Sequence, residues 1–325
     1  MAQFSMRAAL VLAAVCAVIA SGSSPARGSF PGENGVLAFD AVDRDTQTVQ
    51  IFQVSPGGTG LKQLTTTTGG VWNEDPVFSA NGQTIYFSSQ NRALEGPSRI
   101  YRMNANGTGR QLADADSPPA HFWPSVNASG SRLALGQYLD SGQSVIITME
   151  PDGSNRNLVA RATQQQAAGG PEYAPSGPRI VFYRLTYNED GQGIAKSDLF
   201  IRRGTRNVNI TSRSSAKFFG ASWAPDGDTL VALRGQRTLV SMKPNGTDVD
   251  VLASVTGEET GFVDAVYSPD GKKIAFLLCT GDCGDPDLQG QGSIWVMNAD
   301  GSGKQRVFNG GNGVQPASRL SWGVD

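Results

Sequence analysis

One histidine, His121, serves this whole chain of 325 residues, and only three cysteines accompany it. A Ser–His–Asp triad would have to rest on that single imidazole, and no Gly-x-Ser-x-Gly elbow supplies a nucleophile for it. In the stretch His121-Phe-Trp-Pro124 it reads as a loop residue just ahead of an extended segment. Charge of one sign is equally scarce. Lys and Arg total 27 against 29 Asp and Glu, a net charge of −2, with no basic stripe of the kind that tracks a phosphate backbone, so nucleic acid is not an expected partner. After the first 20 residues no long stretch repeats with a helical period, which leaves an all-β reading.

The 40 glycines are abundant instead, and they are spaced. Phe78-Ser-Ala-Asn-Gly82, Val126-Asn-Ala-Ser-Gly130, Tyr173-Ala-Pro-Ser-Gly177, Trp223-Ala-Pro-Asp-Gly227 and Tyr267-Ser-Pro-Asp-Gly271 recur at separations of 48, 47, 50 and 44 residues. Each leads into an alternating apolar stretch such as Ile85-Tyr-Phe87 or Ile274-Ala-Phe276. A second series ends on Gly58, Gly107, Gly153, Gly204, Gly246 and Gly301 and confirms the phase. Xaa-Gly pairs between alternating apolar runs signal tight hairpins. Each unit therefore reads as strand, turn, strand, longer loop, strand, turn, strand. The first copy, Gly35-Val-Leu-Ala-Phe39, lacks the aromatic phrase in front of it, while the chain ends on Leu320-Ser-Trp-Gly-Val-Asp325. A half-copy at each end implies a ring: a six-bladed β-propeller with four-stranded antiparallel blades, closed by the C-terminal strand pairing into blade one.

Met1 to about Arg27 has the plan of an export signal. Arg7 is followed by the apolar run Ala8–Ala20 and then by small residues, too short a run to span a bilayer. Residues 1–28 are read as signal peptide and short leader, residues 29–325 as the propeller, and the mature protein as a secreted or periplasmic monomer. Removing the signal takes Cys16 and leaves Cys279 and Cys283, an even pair in an exported chain that reads as a disulfide. Asp282, Asp285 and Asp287 on the same loop offer oxygen ligands to calcium, but their spacing matches no calcium loop and a solvated acidic turn is the expectation. No metal and no cofactor are expected.

The phrases Tyr267-Ser-Pro-Asp-Gly-Lys-Lys-Ile-Ala-Phe276 and Ile294-Trp-Val-Met-Asn-Ala-Asp-Gly-Ser302 resemble the TolB-like repeat, also called the PD40 or WD40-like repeat. The resemblance runs through all six units, most strongly in the fifth and sixth; in the fourth, Arg202-Arg-Gly-Thr205 replaces the usual turn. It implies a six-bladed propeller that binds proteins or peptides in the cell envelope. Envelope proteins of this type in the Tol-Pal system carry an added N-terminal α/β domain, for which about ten residues between signal and blade one leave no room. Lyases of similar build hold a metal through several histidines around the channel, which one histidine cannot supply.

Stepping seven residues back from each repeat glycine gives the positions expected to crowd the channel mouth: Arg319, Asp75, Trp123, Gly170, Gly220 and Asp264. Asp75, Trp123, Asp264 and Arg319 are the candidate ligand-binding residues, with no catalytic residue assigned. Recognition of an envelope or extracellular protein or peptide is the expected function. The alternative is a carbohydrate- or small-molecule-active enzyme drawing its acid and base from Asp75, Asp264 or Glu172. A structural wall protein that binds itself is a third reading. Trp322, Phe78, Tyr173, Trp223 and Tyr267, all four residues before the repeat position, are read as packing between blades.

Overall fold

The computed structural model describes residues 30–114, 120–191, 193–256, 260–281, 290–311 and 313–325. The export segment and the 282–287 loop lie outside these residues. Cys279 is disulfide-bonded; Cys283, the partner expected from the sequence, lies outside the described residues. No described helix is long and apolar enough to cross a membrane.

Each repeat glycine closes a hairpin, and two hairpins make one blade. In blade two the strands Val71–Phe78, Thr84–Asn91, Arg99–Asn104 and Gln111–Leu112 pair antiparallel in that order. Five sheets follow chain order, with inner strands Val71–Phe78, His121–Val126, Gln166–Tyr173, Phe218–Trp223 and Thr260–Tyr267. The sixth takes its inner strand, Val314–Val324, from the other end of the chain and sets it beside Asn34–Asp43, pairing Leu37 with Trp322 and Phe39 with Leu320. The split copy is therefore completed as the repeat implies. In blade four the missing turn motif is a two-residue hairpin, Gly204-Thr205, between the paired Arg203 and Arg206.

Six of the seven apolar clusters among the described residues lie one to each seam between neighbouring blades, and each of the six contains its residue of the aromatic column: Phe78, Val126, Tyr173, Trp223, Tyr267 and Trp322. Every one of them is buried. An alternating strand supplies one face to each of two seams, so a residue repeated at one register fills the same space six times. Val126 fills the third with an aliphatic side chain.

Gly82 shows why the turn glycine is required at the closing seam. Its φ is +69°, and an added methyl group would collide with the carbonyl oxygen of Val324 on the C-terminal strand. Gly82→Ala is expected to destabilise the propeller by about 2 kcal/mol or more, combining left-handed strain with a backbone clash. A thermal or urea titration matching wild type would contradict this docking of the C-terminal strand.

Candidate functional site

The inner strands are not regular. Each slips register around the position seven residues before its repeat glycine, as at Glu74/Val77, Phe122/Ser125, Gly169/Glu172 and Phe262/Asp264. Such bulges re-aim side chains and free backbone amides from the ladder. Asp75 and Trp123 adopt left-handed φ values of 59° and 54°, like Gly170 at φ 57°, and each of the three precedes a proline. Left-handed backbone at a non-glycine residue costs about 1–3 kcal/mol and persists only where its surroundings hold it.

Asp40, on the second strand of blade one, supplies much of that hold. Its Oδ1 accepts from the amides of Ser318 at 2.8 Å and Arg319 at 2.9 Å, and its Oδ2 from the Asp75 amide at 3.0 Å and the Ser318 hydroxyl at 2.9 Å. Asp75 Oδ1 accepts from Arg319 Nε at 3.0 Å; its Oδ2 takes Ser88 Oγ at 2.9 Å and the Trp123 amide at 3.4 Å. The guanidinium carbon of Arg319 lies 5.8 Å from the centre of the Trp123 ring. Asp264 Oδ2 accepts the Leu320 amide at 2.8 Å, beside Arg319. The structure thus gathers all four residues singled out by the repeat. It also buries them: Arg319 and Asp264 are 0 % exposed, Asp75 5 % and Trp123 8 %.

Three of these carboxylates bond across blade boundaries. Asp264 joins blade six to one, Asp40 joins one to two, and Asp75 joins two to three. Two residues farther along, Ser321 Oγ accepts the Phe78 amide, Ser125 Oγ the Tyr173 amide and Glu172 Oε1 the Trp223 amide at 2.7 Å, each on the next blade. Ser222 is the equivalent residue of blade five, where its buried hydroxyl has no hydrogen-bond partner among the described residues.

Sequence reasoning missed Asp40. Aligned in phase, the second strands read Asp40, Ser88, Gly136, Tyr183, Leu233 and Leu277 at one register, and an acid at the centre of a buried apolar run was the available signal. Gly136 at that register, with Gly169 on the inner strand of blade four, leaves the slot for Trp123, since an added methyl group on either would run into its indole. His121 also differs from the loop reading. It is the first residue of the inner strand of blade three, its amide bonded to Ser98 O, its side chain fully buried and its Nδ1 2.6 Å from Asp114 Oδ2.

Glu74 borders the cluster on the more open side, its side chain 21 % exposed and paired with Arg92 at 3.1 Å. Arg92 in turn stacks over Trp72, 3.6 Å from the ring centre. Burial, reinforced by the charges of Asp75 and Asp40, pushes the Glu74 carboxyl up to about 7 against the pull of Arg92. Burial and the Asp75 charge likewise raise Asp40. A carboxyl raised in the folded state binds more protons there than in the unfolded chain, so its contribution falls as pH rises from about 4.5 to about 7. Wild type is therefore expected to lose melting temperature across that window relative to Glu74→Gln. Parallel melting curves for the two proteins from about pH 5 to about pH 8 would contradict the Glu74 environment. Among the described residues no group of three or more His, Cys, Asp or Glu side chains is placed to hold a metal ion.

No family model matches the chain. A 174-residue segment is 25 % identical to the Tol-Pal system protein TolB of Anaeromyxobacter dehalogenans (strain 2CP-C), covering 51 % of this chain and 36 % of that protein. The crystal structure of TolB from Acinetobacter baumannii superposes with a TM-score of 0.67 at 14 % identity, covering 91 % of this chain and 68 % of that one. The chain carries a TolB-like six-bladed propeller. This TolB-like ring also shares its fold with a chain in the crystal structure of a nidogen/laminin complex, with a TM-score of 0.66 at 12 % identity over 89 % of this chain and 99 % of that one. The segment matched in the curated relative spans about a third of that protein's length.

Proposed function

We propose that this propeller is a non-catalytic recognition module of the cell envelope or extracellular space, exported by a cleaved signal within residues 1–28, and that it binds a protein or peptide on the face above Asp75, Trp123, Asp264 and Arg319. The observation that carries the reading is the use made of the carboxylates. Asp75, Asp264 and Glu172, the acid–base candidates, each accept a backbone amide of the adjoining blade. A carboxylate occupied in this way is a poor proton shuttle, because every transfer would break a seam. What the ring offers instead is a rigid face, and the similarity to envelope TolB proteins supports a protein partner.

Glu74 favours the second reading, a propeller enzyme, since a partly exposed carboxyl raised to about 7 is suited to general acid–base work. One experiment separates the two. Residues 29–325 are used as bait against the envelope and secreted fractions, and the recovered molecule is titrated against wild type and a Glu74→Ala/Arg92→Ala variant. A stoichiometric protein partner whose affinity falls in the variant supports recognition. Retention of glycans alone, with turnover that Glu74→Gln abolishes, replaces it with the enzyme.

A further inference from the structure

A second site lies in an open groove of about 560 Å³ formed by the loop leading into blade two, the first three strands of that blade and Arg110 just ahead of the fourth. Its size falls in the range of small-molecule sites, about 300–1,000 Å³. Thr66, Thr68, Ser89, Arg99, Tyr101 and Arg110 are among its lining residues, and no acidic side chain among the described residues lines it. Of the two guanidiniums, Arg99 is neutralised from behind: its Nε bonds Asp114 Oδ1 at 3.2 Å, and Asp114 also binds His121. Arg110 has no ion-pair partner among the described residues.

Arg110 is nevertheless held in place. One terminal nitrogen, Nη2, donates to Ser89 Oγ at 2.9 Å and to Asn73 Oδ1 at 3.3 Å, and the guanidinium stacks 4.5 Å from the centre of the Tyr101 ring. Both anchoring residues are buried. Desolvation lowers the Arg110 pKa, a penalty that an anion in the groove would reverse. Nε and Nη1 take no bond among the described residues. The Nε and Nη1 N–H groups diverge in the guanidinium plane, so each offers a separate charge-assisted bond to an anion, and the threonine and serine hydroxyls beside them suit a hydroxylated frame.

We propose that this groove binds a small hydroxylated carboxylate of the acidic-sugar type, with Arg110 as the carboxylate-binding residue. The test is calorimetric titration of the mature protein with D-glucuronate, alongside D-glucose and inorganic phosphate, paired with amide chemical-shift mapping. The expected result is saturable glucuronate binding with shifts at Ser89 and Tyr101, absent with glucose, weaker with phosphate, and at least tenfold weaker in Arg110→Gln with an unchanged melting temperature. Should Arg110→Gln fail to fold, Thr68→Val at the exposed rim and the wild-type shift map decide in its place. Absence of glucuronate binding, shifts outside the groove, or equal affinity in a folded Arg110→Gln variant would overturn the proposal. Equal binding of phosphate would show that the hydroxylated frame adds nothing and would overturn the acidic-sugar assignment.

Discussion

Deletion of Leu320–Asp325 abolishes the cooperative unfolding transition of the entire propeller, in the expected result, and not of blade one alone. The segment supplies Leu320 and Trp322, 0 % and 3 % exposed, to the cluster between blades six and one. Loss of side chains of this size from a packed core costs about 5–10 kcal/mol together, comparable with the whole net stability of a domain, about 5–15 kcal/mol. The deletion also removes the ladder from Leu37–Phe39, the Ser321 bond to the Phe78 amide and the Trp322 indole bond to Gly35 O at 3.1 Å. It leaves the second strand of blade one as an open edge facing two half-empty seams. Calorimetry of the truncated chain tests this: a transition of wild-type temperature and enthalpy would show that the ring does not depend on closure.

Arg319→Met is expected to destabilise by about 3–5 kcal/mol, the usual consequence of removing one partner of a buried ion pair. The methionine fills part of the space near the Trp123 ring but leaves Asp75 without its 3.0 Å cation, in a region where Asp40 is already raised by burial. Stranded carboxylates prefer the protonated form. The variant should therefore lose stability more steeply than wild type as pH rises from about 5 to about 8, because its folded state holds protons that its unfolded state has released. Urea titrations at several pH values measure both the offset and the slope. An offset below about 1 kcal/mol with an unchanged slope would mean that Arg319 is not the counter-ion of this cluster.

The ring was legible because a repeat declares itself at every copy. The Xaa-Gly turns, the alternating runs and the split first unit each required only local pattern, and the column from Phe78 to Trp322 required only that equal registers fill equal space. The register holding Asp75, Trp123, Asp264 and Arg319 was legible for the same reason. Their burial was not, since it follows from bulges in which two non-glycine residues take left-handed backbone, and no pattern of residue types announces those angles at Asp75 and Trp123. Asp40 lies on a second strand, outside the register of the inner strands, and its place shows only when Phe39-Asp40 is aligned with Phe87-Ser88 and Leu135-Gly136. The groove around Arg110 was illegible for a different reason. Its character depends on which cations lack acids, and the Asp114 that neutralises Arg99 is 15 residues away in sequence.

The central claim is that the buried acidic cluster fastens the first three blades to one another. The most direct measurement is a double-mutant cycle on Arg319→Met and Asp75→Asn, read from urea unfolding. The account predicts a double variant less destabilised than the sum of the two single variants, with a coupling energy of about 1–3 kcal/mol. Additivity within about 0.5 kcal/mol would contradict it, leaving Asp75 and Arg319 as neighbours without an energetic bond.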